Sequence, residues 1–297
     1  MRRERVVIGV LPRTFKASAR RGKPPITEPE LAAYRDTLIR CVKSIGQHQN
    51  VRRIDVAVNC DPSSPFSEMI DSGDGTTLSE RILLAKSNRF RVLPTVHKCF
   101  TWGQNSGSGA PMNSIINSMQ NNGVTHVLVL SKEIILPKRV LGGALEMMAQ
   151  QSRKLNAVGF YRQGWWEHLP QRVPQNTACL WRIESLLERD GFDPRCDGDG
   201  STIDVGGQSV PIAGMEDFHL LLRQMKWRPD SFYWGMFGAS HPLRWDVSAK
   251  NADELHRHQM KLRRQEYVMQ QYVKELYPST SWREVMEQFF RSRLVAA

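Results

Sequence analysis

A serine, a lysine and a glutamate interrupt an apolar run near the middle of the chain. The stretch THVLVLSKEIIL, residues 125–136, reads as a buried β-strand that ends in the triplet Ser131-Lys132-Glu133. The ends of strands are where many α/β proteins hold their ligands. An ammonium group can neutralise phosphate, and a carboxylate can bind a hard cation. The triplet is therefore either an anion or metal site or a solvated turn.

The elements that would position this triplet alternate between strand and helix. Apolar runs that end in polar turns predict strands, and the segments between these strands have the spacing of helices. The strands are predicted within residues 5–15, 52–66, 89–97 and 125–130, and the helices within 30–47 and in the segment that ends at Met119. This alternation predicts a mainly parallel sheet with helices on both faces.

The second half of the chain is less regular. Its sequence predicts a strand at NAVGFYRQGWWE, a strand or turn leading into a short helix at TACLWRIESLLERDGFD, and an amphipathic helix at GMEDFHLLLRQMKW. Helical character continues from 252 to 277, and a last helix is predicted over 282–293. We expect one α/β domain over residues 1–245 and a helical C-terminal extension over residues 246–297.

Composition narrows the class of partner. The chain has 297 residues, is 40% hydrophobic and carries a formal net charge of +11, which favours nucleotides, phosphorylated lipids, nucleic acid or an anionic membrane surface. Its five cysteines include no CxxC pair, which favours reduced thiols in the cytoplasm. No apolar run approaches the roughly 18 residues of a membrane span.

Four segments in chain order resemble the motifs of family 2 glycosyltransferases of the GT-A type. They are NSGSGAPMN (105–113), the triplet at 131–133 in the place of an Asp-x-Asp motif, LLERDGFDPR (186–195) and GMEDFHLLLR (214–223). The resemblance covers about residues 5–245. It implies a single GT-A-like, mixed and mainly parallel sheet flanked by helices. It also implies inverting transfer of a sugar from a UDP- or GDP-sugar to a hydroxyl acceptor.

The resemblance also implies a donor site. In the family, Asp-x-Asp holds Mn²⁺ or Mg²⁺, which binds the diphosphate; here Glu133 remains as a ligand and Lys132 takes over part of the charge. His241 is the second expected metal ligand, with a structural histidine as its alternative. The residues expected to contact the nucleotide or diphosphate are Pro12, Arg13, Thr14, Asp61, Asn105, Asn113, Ser131, Lys132, Glu133 and Arg244. For Asp61, an Asx turn before Pro62 is the competing interpretation.

The same motifs imply a catalytic base and an acceptor side. Asp217 of the Glu-Asp pair is expected to remove the proton from the acceptor hydroxyl, while simple capping of a helix by Glu216 and Asp217 is the alternative. Glu216 is also expected to contact the acceptor. Trp165 and Trp166 are expected to stack on it, with core packing as the alternative.

The partners follow from this assignment. We expect a carbohydrate, lipid-linked or small-molecule acceptor and a cytoplasmic active site. The basic amphipathic tail either lies on the inner face of an anionic membrane or packs on the domain or on a second copy of the chain.

Three other function classes remain as alternatives. A non-catalytic nucleotide-sugar or glycan-binding protein would also explain the missing Asp-x-Asp. A nucleotidyltransferase is disfavoured because no G-x-G-T-R segment follows the first strand. Nucleic acid is not an expected partner, since the sequence carries no recognisable nucleic-acid motif.

Overall fold

The apolar runs of the sequence form strands, and the segments of helical spacing form helices between them. The computed structural model describes residues 7–14, 28–45, 48–59, 94–99, 109–150, 155–161, 174–175, 178–188, 190–197, 202–212, 214–227, 232–238, 243, 252–276 and 294–296. The helices are α1 (Glu28–Ile45), α2 (Gly109–Asn121), α3 (Lys138–Gln150), α4 (Ile183–Leu187), α5 (Glu216–Trp227) and α6 (Ala252–Leu276). The strands are β1 (Ile8–Thr14), β2 (Val51–Asn59), β3 (Pro94–Cys99), β4 (His126–Ser131), β5 (Ala157–Phe160), β6 (Ala178–Arg182), β7 (Thr202–Val205), β8 (Gln208–Pro211), β9 (Trp234–Phe237) and β10 (Leu294–Ala296).

Within the described ranges, eight strands form one sheet in the order β10-β9-β5-β6-β4-β1-β2-β3. Strand β6 runs antiparallel to both of its neighbours, β4 and β5, and every other neighbouring pair is parallel. The sheet is therefore mixed and mainly parallel, which confirms the predicted fold class. The carboxyl ends of the parallel strands meet at one edge, so the polar residues that follow them are brought together.

The central strands are buried on both faces, which explains their nearly unbroken apolar sequence. In β4, Val127 and Val129 face one core, which α2, α5 and α6 cover. Leu128 and Leu130 face the other core, which α1 and α3 cover. Because side chains alternate along a strand, Ser131 follows Val129 onto the face covered by α5.

Not every element of the structure was predicted, and some predictions extend beyond the described residues. Strand β3 is described over Pro94–Cys99, and residues 89–93 of the predicted strand lie outside the described residues. A separate hairpin, β7–β8, was not predicted, although its turn consists of Gly206 and Gly207, which both have positive φ (58° and 75°). Paired residues with positive φ are what a two-residue hairpin turn requires. The predicted helix over 282–293 lies outside the described residues.

The C-terminal elements lie against the same sheet. In α6, Val268 and Met269 join the core on the α5 side, and the Tyr267 hydroxyl donates a hydrogen bond to Gln208 Oε1 of β8 at 2.8 Å. Strand β10 pairs in parallel with β9. Among the described helices, none combines the length and the apolar character that a membrane span requires.

A buried ion-pair network joins the two strands at one side of the sheet. The Asp55 side chain of β2 has no exposed surface; its Oδ1 lies 2.5 Å from His97 Nε2 of β3, and Arg53 Nε donates to its Oδ2 at 2.6 Å. Arg53 also donates to the Ser118 hydroxyl of α2 at 3.1 Å. Burial raises the pKa of Asp55, but the hydrogen bonds from His97 and Arg53 outweigh it and lower that pKa below its usual range.

We expect Asp55→Asn to lower the free energy of unfolding at neutral pH by about 2–3 kcal/mol, because it removes hydrogen bonds to a charged group. A carboxyl whose pKa is lowered in the folded state contributes its stability above its unfolded pKa of about 3.9. That contribution is lost as the pH falls through the folded value. Urea unfolding at pH 7 and pH 3 should therefore show the gap between the variant and the wild type closing in acid. A gap of equal size at both pH values would contradict this account.

Candidate functional site

The end of β4 lies at the edge where the parallel strands finish. Strand β1 is the neighbour of β4, and Arg13 pairs with Ser131 in the register of these two strands. Pro12 is buried within β1, and the backbone of Arg13 and Thr14 continues that strand to its end. The structure therefore brings the predicted β1 segment and the predicted triplet side by side at this edge.

The three side chains of the triplet contact one another. The Ser131 hydroxyl donates to Glu133 Oε2, and Lys132 Nζ lies 3.2 Å from Glu133 Oε1. Lys132 is buried, with 5% of its side chain exposed, and Glu133 is 14% exposed. The backbone turns at this point, since the Ile134 N–H donates to the Ser131 carbonyl at 3.0 Å. Sequence reasoning placed these residues at a strand end, and that placement is confirmed.

This set is a poor fit for a divalent cation. Hard cations take several oxygen ligands, whereas the triplet offers one carboxylate and one hydroxyl. Lys132 Nζ lies 3.2 Å from that carboxylate, so the two charges of the triplet cancel. Lys132 is the residue of the triplet whose positive charge could face an anionic ligand.

Asp217 is buried at the first turn of α5, with 2% of its surface exposed. Its Oδ1 accepts a hydrogen bond from the Phe218 N–H at 2.8 Å. Burial raises the pKa of the Cys179 thiol, and the charge of Asp217 raises it further, so these two groups are near each other. Cys179 pairs with Val129 of β4, two residues before Ser131. Asp217 therefore lies on the α5 side of the sheet, near the paired residues Cys179 and Val129.

The turn over residues 190–193, which we call the acceptor-side turn, is fastened to α2 by Asn113. The Asn113 amide nitrogen donates to the carbonyls of Asp190 (2.9 Å) and Phe192 (2.8 Å), and its Oδ1 accepts from the Phe192 N–H at 2.9 Å. Gly191 has a φ of +69°, and a Cβ there would collide with Asn113 Oδ1. Asn113 thus has a structural role in this turn, and its predicted contact with a nucleotide stays a prediction.

We expect Asn113→Ala to lower the free energy of unfolding by about 2–4 kcal/mol, because it leaves three backbone groups of the turn without their partner. Asn117→Ala is the matched control, since Asn117 is exposed on the same helix. Urea unfolding of both variants measures the difference. Equal stability of the two variants would show that the turn does not depend on Asn113.

A second polar group lies between the acceptor-side turn and α5. The Arg195 guanidinium donates to Asp193 Oδ2 at 2.7 Å, and His219 Nδ1 of α5 lies 3.1 Å from the same oxygen. Burial raises the pKa of Asp193, but the bonds from Arg195 and the charge of His219 lower it to about 2. Burial lowers the pKa of His219, against the opposing effect of Asp193.

With the buried thiol of Cys196, Asp193 and His219 form a group whose ligand atoms could hold a metal ion. Sequence reasoning did not identify Cys196 or His219 as functional. The Asp-x-x-Cys spacing is visible in the sequence, but the packing that brings His219 of α5 beside these two residues is not.

The other predicted site residues cannot be placed. Asp61, Asn105, Trp165, Trp166, His241 and Arg244 lie outside the described residues. Glu216 is described; it is buried beside Asp217 in the first turn of α5.

Comparison with solved structures finds matches at low sequence identity. A mannosyltransferase from Pyrobaculum calidifontis, in complex with GDP-Man and Mn²⁺, matches with a TM-score of 0.53 and 10% identity over 97% of this chain and 69% of that chain. Residues 1–349 of TarS from S. aureus match with a TM-score of 0.49 and 10% identity over 97% and 81% of the two chains. A cytidylyltransferase from Leptospira borgpetersenii matches with a TM-score of 0.40 and 10% identity over 97% and 94%.

Sequence comparison adds no family assignment, since no protein-family model matches the chain and a search of curated proteins gives no match. The fold comparison stands by itself. The strand order of the sheet and the superposition on the mannosyltransferase show that the chain has the GT-A-like fold its motifs predicted.

Proposed function

We propose that this protein is a glycosyltransferase that moves a sugar from a nucleoside-diphosphate sugar to a hydroxyl acceptor with inversion at the anomeric carbon. One observation carries the proposal: in a GT-A-like sheet the triplet lies at the end of β4, and Asp217 lies near Cys179, which pairs with Val129 of the same strand. The mannosyltransferase of similar fold was solved with GDP-Man. For this chain we propose a GDP- or UDP-sugar as donor.

Lys132 is the proposed centre of diphosphate binding. Its ammonium is buried at the strand end beside Glu133, so a diphosphate that approaches the triplet meets a partly desolvated cation. Arg13, which pairs with Ser131 in the strand register, and Arg244 are proposed as further contacts of the diphosphate. Because the triplet fits a divalent cation poorly, we propose that donor binding needs neither Mn²⁺ nor Mg²⁺.

Asp217 is the proposed general base. As the acceptor oxygen attacks the anomeric carbon, its proton passes to the Asp217 carboxylate, and the bond between the anomeric carbon and the diphosphate oxygen breaks. The nucleoside diphosphate leaves with that electron pair. The hydrogen bond from the Phe218 N–H to Oδ1 orients the carboxylate.

The acceptor is proposed to bind at the start of α5, where Asp217 can reach its hydroxyl. Glu216 lies at this helix end, and Trp165 and Trp166 are proposed to stack on the acceptor. The acceptor class stays open among carbohydrates, lipid-linked sugars and small molecules. We also propose that the basic C-terminal region makes peripheral contact with an anionic membrane and that two copies of the chain associate.

A non-catalytic nucleotide-sugar-binding protein is the second candidate. The observation that favours it is that the one carboxylate of the triplet, Glu133, already accepts hydrogen bonds from Ser131 and Lys132. Mass-spectrometric detection of released nucleoside diphosphate, with panels of sugar nucleotides and acceptors, separates the two candidates. Acceptor-dependent release from one donor supports the transferase. Binding of a donor without release from any acceptor supports the binding protein.

A further inference from the structure

Asp193, Cys196 and His219, which we call the turn cluster, bring three different ligand types together. One ligand atom from each residue lies within 4.8 Å of the others. Cys196 is fully buried, 4% of Asp193 is exposed, and 11% of the His219 side chain is exposed. The cluster joins α5 to the acceptor-side turn and shares no residue with the triplet at the end of β4.

The backbone fixes two of the three ligands in advance. The Cys196 N–H donates to the Asp193 carbonyl at 3.1 Å, and a short 3-10 helix, Pro194–Asp197, follows Asp193. Residues three apart eclipse each other in this geometry, so Asp193 and Cys196 project to the same side. The Gly214 N–H donates a hydrogen bond to the Cys196 carbonyl. This bond ties the 3-10 helix to the residues that precede α5.

His219 supplies the third position with a buried nitrogen. Its Nδ1 lies 3.1 Å from Asp193 Oδ2, but the contact is not aligned as a hydrogen bond, and Nδ1 makes no other hydrogen bond within the described part of the chain. A buried nitrogen left in this state costs about 1–3 kcal/mol. An ion between the three side chains would satisfy it.

We propose that the turn cluster binds a divalent d-block metal ion, with Zn²⁺ as the best fit. A thiolate, an imidazole and a carboxylate are the ligand types of zinc sites, and three protein ligands leave a fourth position for water or another oxygen ligand. The thiolate selects against Mg²⁺, Ca²⁺ and Mn²⁺, which prefer oxygen. The proposal stands independently of the proposed transferase activity.

The surroundings suit a bound ion. Metal-binding carboxylates are commonly held by further hydrogen bonds, and Arg195 donates to both Asp193 oxygens. A carboxylate has lone pairs to accept these bonds and still bind a metal. On binding, the Cys196 thiol loses its proton to solvent, so the carboxylate and the thiolate together balance the two positive charges of the ion.

The test uses Co²⁺ as a spectroscopic probe on the full chain after chelator treatment. We expect the absorption bands of a four-coordinate, thiolate-ligated Co²⁺ site that saturates at one ion per chain, release of one proton, and displacement by Zn²⁺. Cys196→Ser and His219→Gln should lose these bands, whereas Cys41→Ser, which changes a buried thiol outside the cluster, should keep them. Arg195→Ala should weaken binding by about 10- to 100-fold.

Two controls keep the result decisive. Circular dichroism of each variant confirms folding. Arg195 is 68% exposed, so Arg195→Ala changes the surroundings of Asp193 without removing a metal ligand. Absence of the bands in the wild type, or their persistence in Cys196→Ser, would overturn the proposal and leave Asp193, Arg195 and His219 as an ion-pair network. Because the readout is metal binding, failure here leaves the donor-binding proposal standing.

Discussion

Asp217→Asn lowers the turnover number for sugar transfer by about 10²- to 10⁴-fold and leaves donor affinity unchanged, if Asp217 is the general base. The reason is that an amide cannot take the acceptor proton, although it keeps the shape of the carboxylate. Asparagine also caps helices about as well as aspartate, so Asn at this position can still accept from the Phe218 N–H. The loss should therefore appear in the turnover number without a loss of fold.

The measurement is a comparison of initial rates and donor dissociation constants for the wild type and the variant. Asp204→Asn is the matched control, because Asp204 is an exposed aspartate on β7. Its rate should equal that of the wild type. A variant at Asp217 that retained most of its activity would remove this residue from the mechanism and leave it as a helix cap.

Lys132→Met should weaken binding of the nucleoside diphosphate by about 10- to 100-fold, in line with the 1.5–3 kcal/mol of a hydrogen bond to a charged group. Methionine retains the apolar length of the side chain but removes the ammonium that faces the anion. Calorimetric titration in the presence of a chelator measures the effect. Lys138→Met is the control, since Lys138 is exposed at the start of α3.

A second variant tests the same idea in the opposite direction. Ser131→Asp combined with Lys132→Ala would leave two carboxylates and no ammonium at the end of β4. We expect donor binding by this double variant to require Mn²⁺, because the site then offers the oxygen ligands that hard cations need. Unchanged binding by Lys132→Met, with or without metal, would show that the diphosphate does not contact Lys132.

Sequence alone predicted the central sheet and the ends of its most buried strands. The apolar run before Ser131 indicated a buried strand, and β4 is that strand. The Glu216-Asp217 pair indicated the start of a helix, and α5 begins at that pair. Strand direction was beyond reach, because a strand that is buried on both faces has the same apolar sequence whether it runs parallel or antiparallel. Strand β6 is the case in point.

The candidate site was less accessible to sequence reasoning. Asn113 resembled a donor-binding residue, and the structure shows its amide bonded to the backbone of a turn that lies about 80 residues further along the chain. The proximity of His219 to Asp193 and Cys196 likewise depends on how α5 packs. Contacts of this kind are set by tertiary packing, which local sequence patterns do not encode.

The most direct test of the central claim is calorimetric titration of the chelator-treated protein with UDP- and GDP-sugars. A transferase that binds diphosphate through Lys132 should bind at least one of these donors without added metal, and Mn²⁺ should not strengthen that binding. Binding that appears only with Mn²⁺ would contradict the role given to Lys132. Binding of no sugar nucleotide by folded protein, with or without metal, would contradict the proposed function itself.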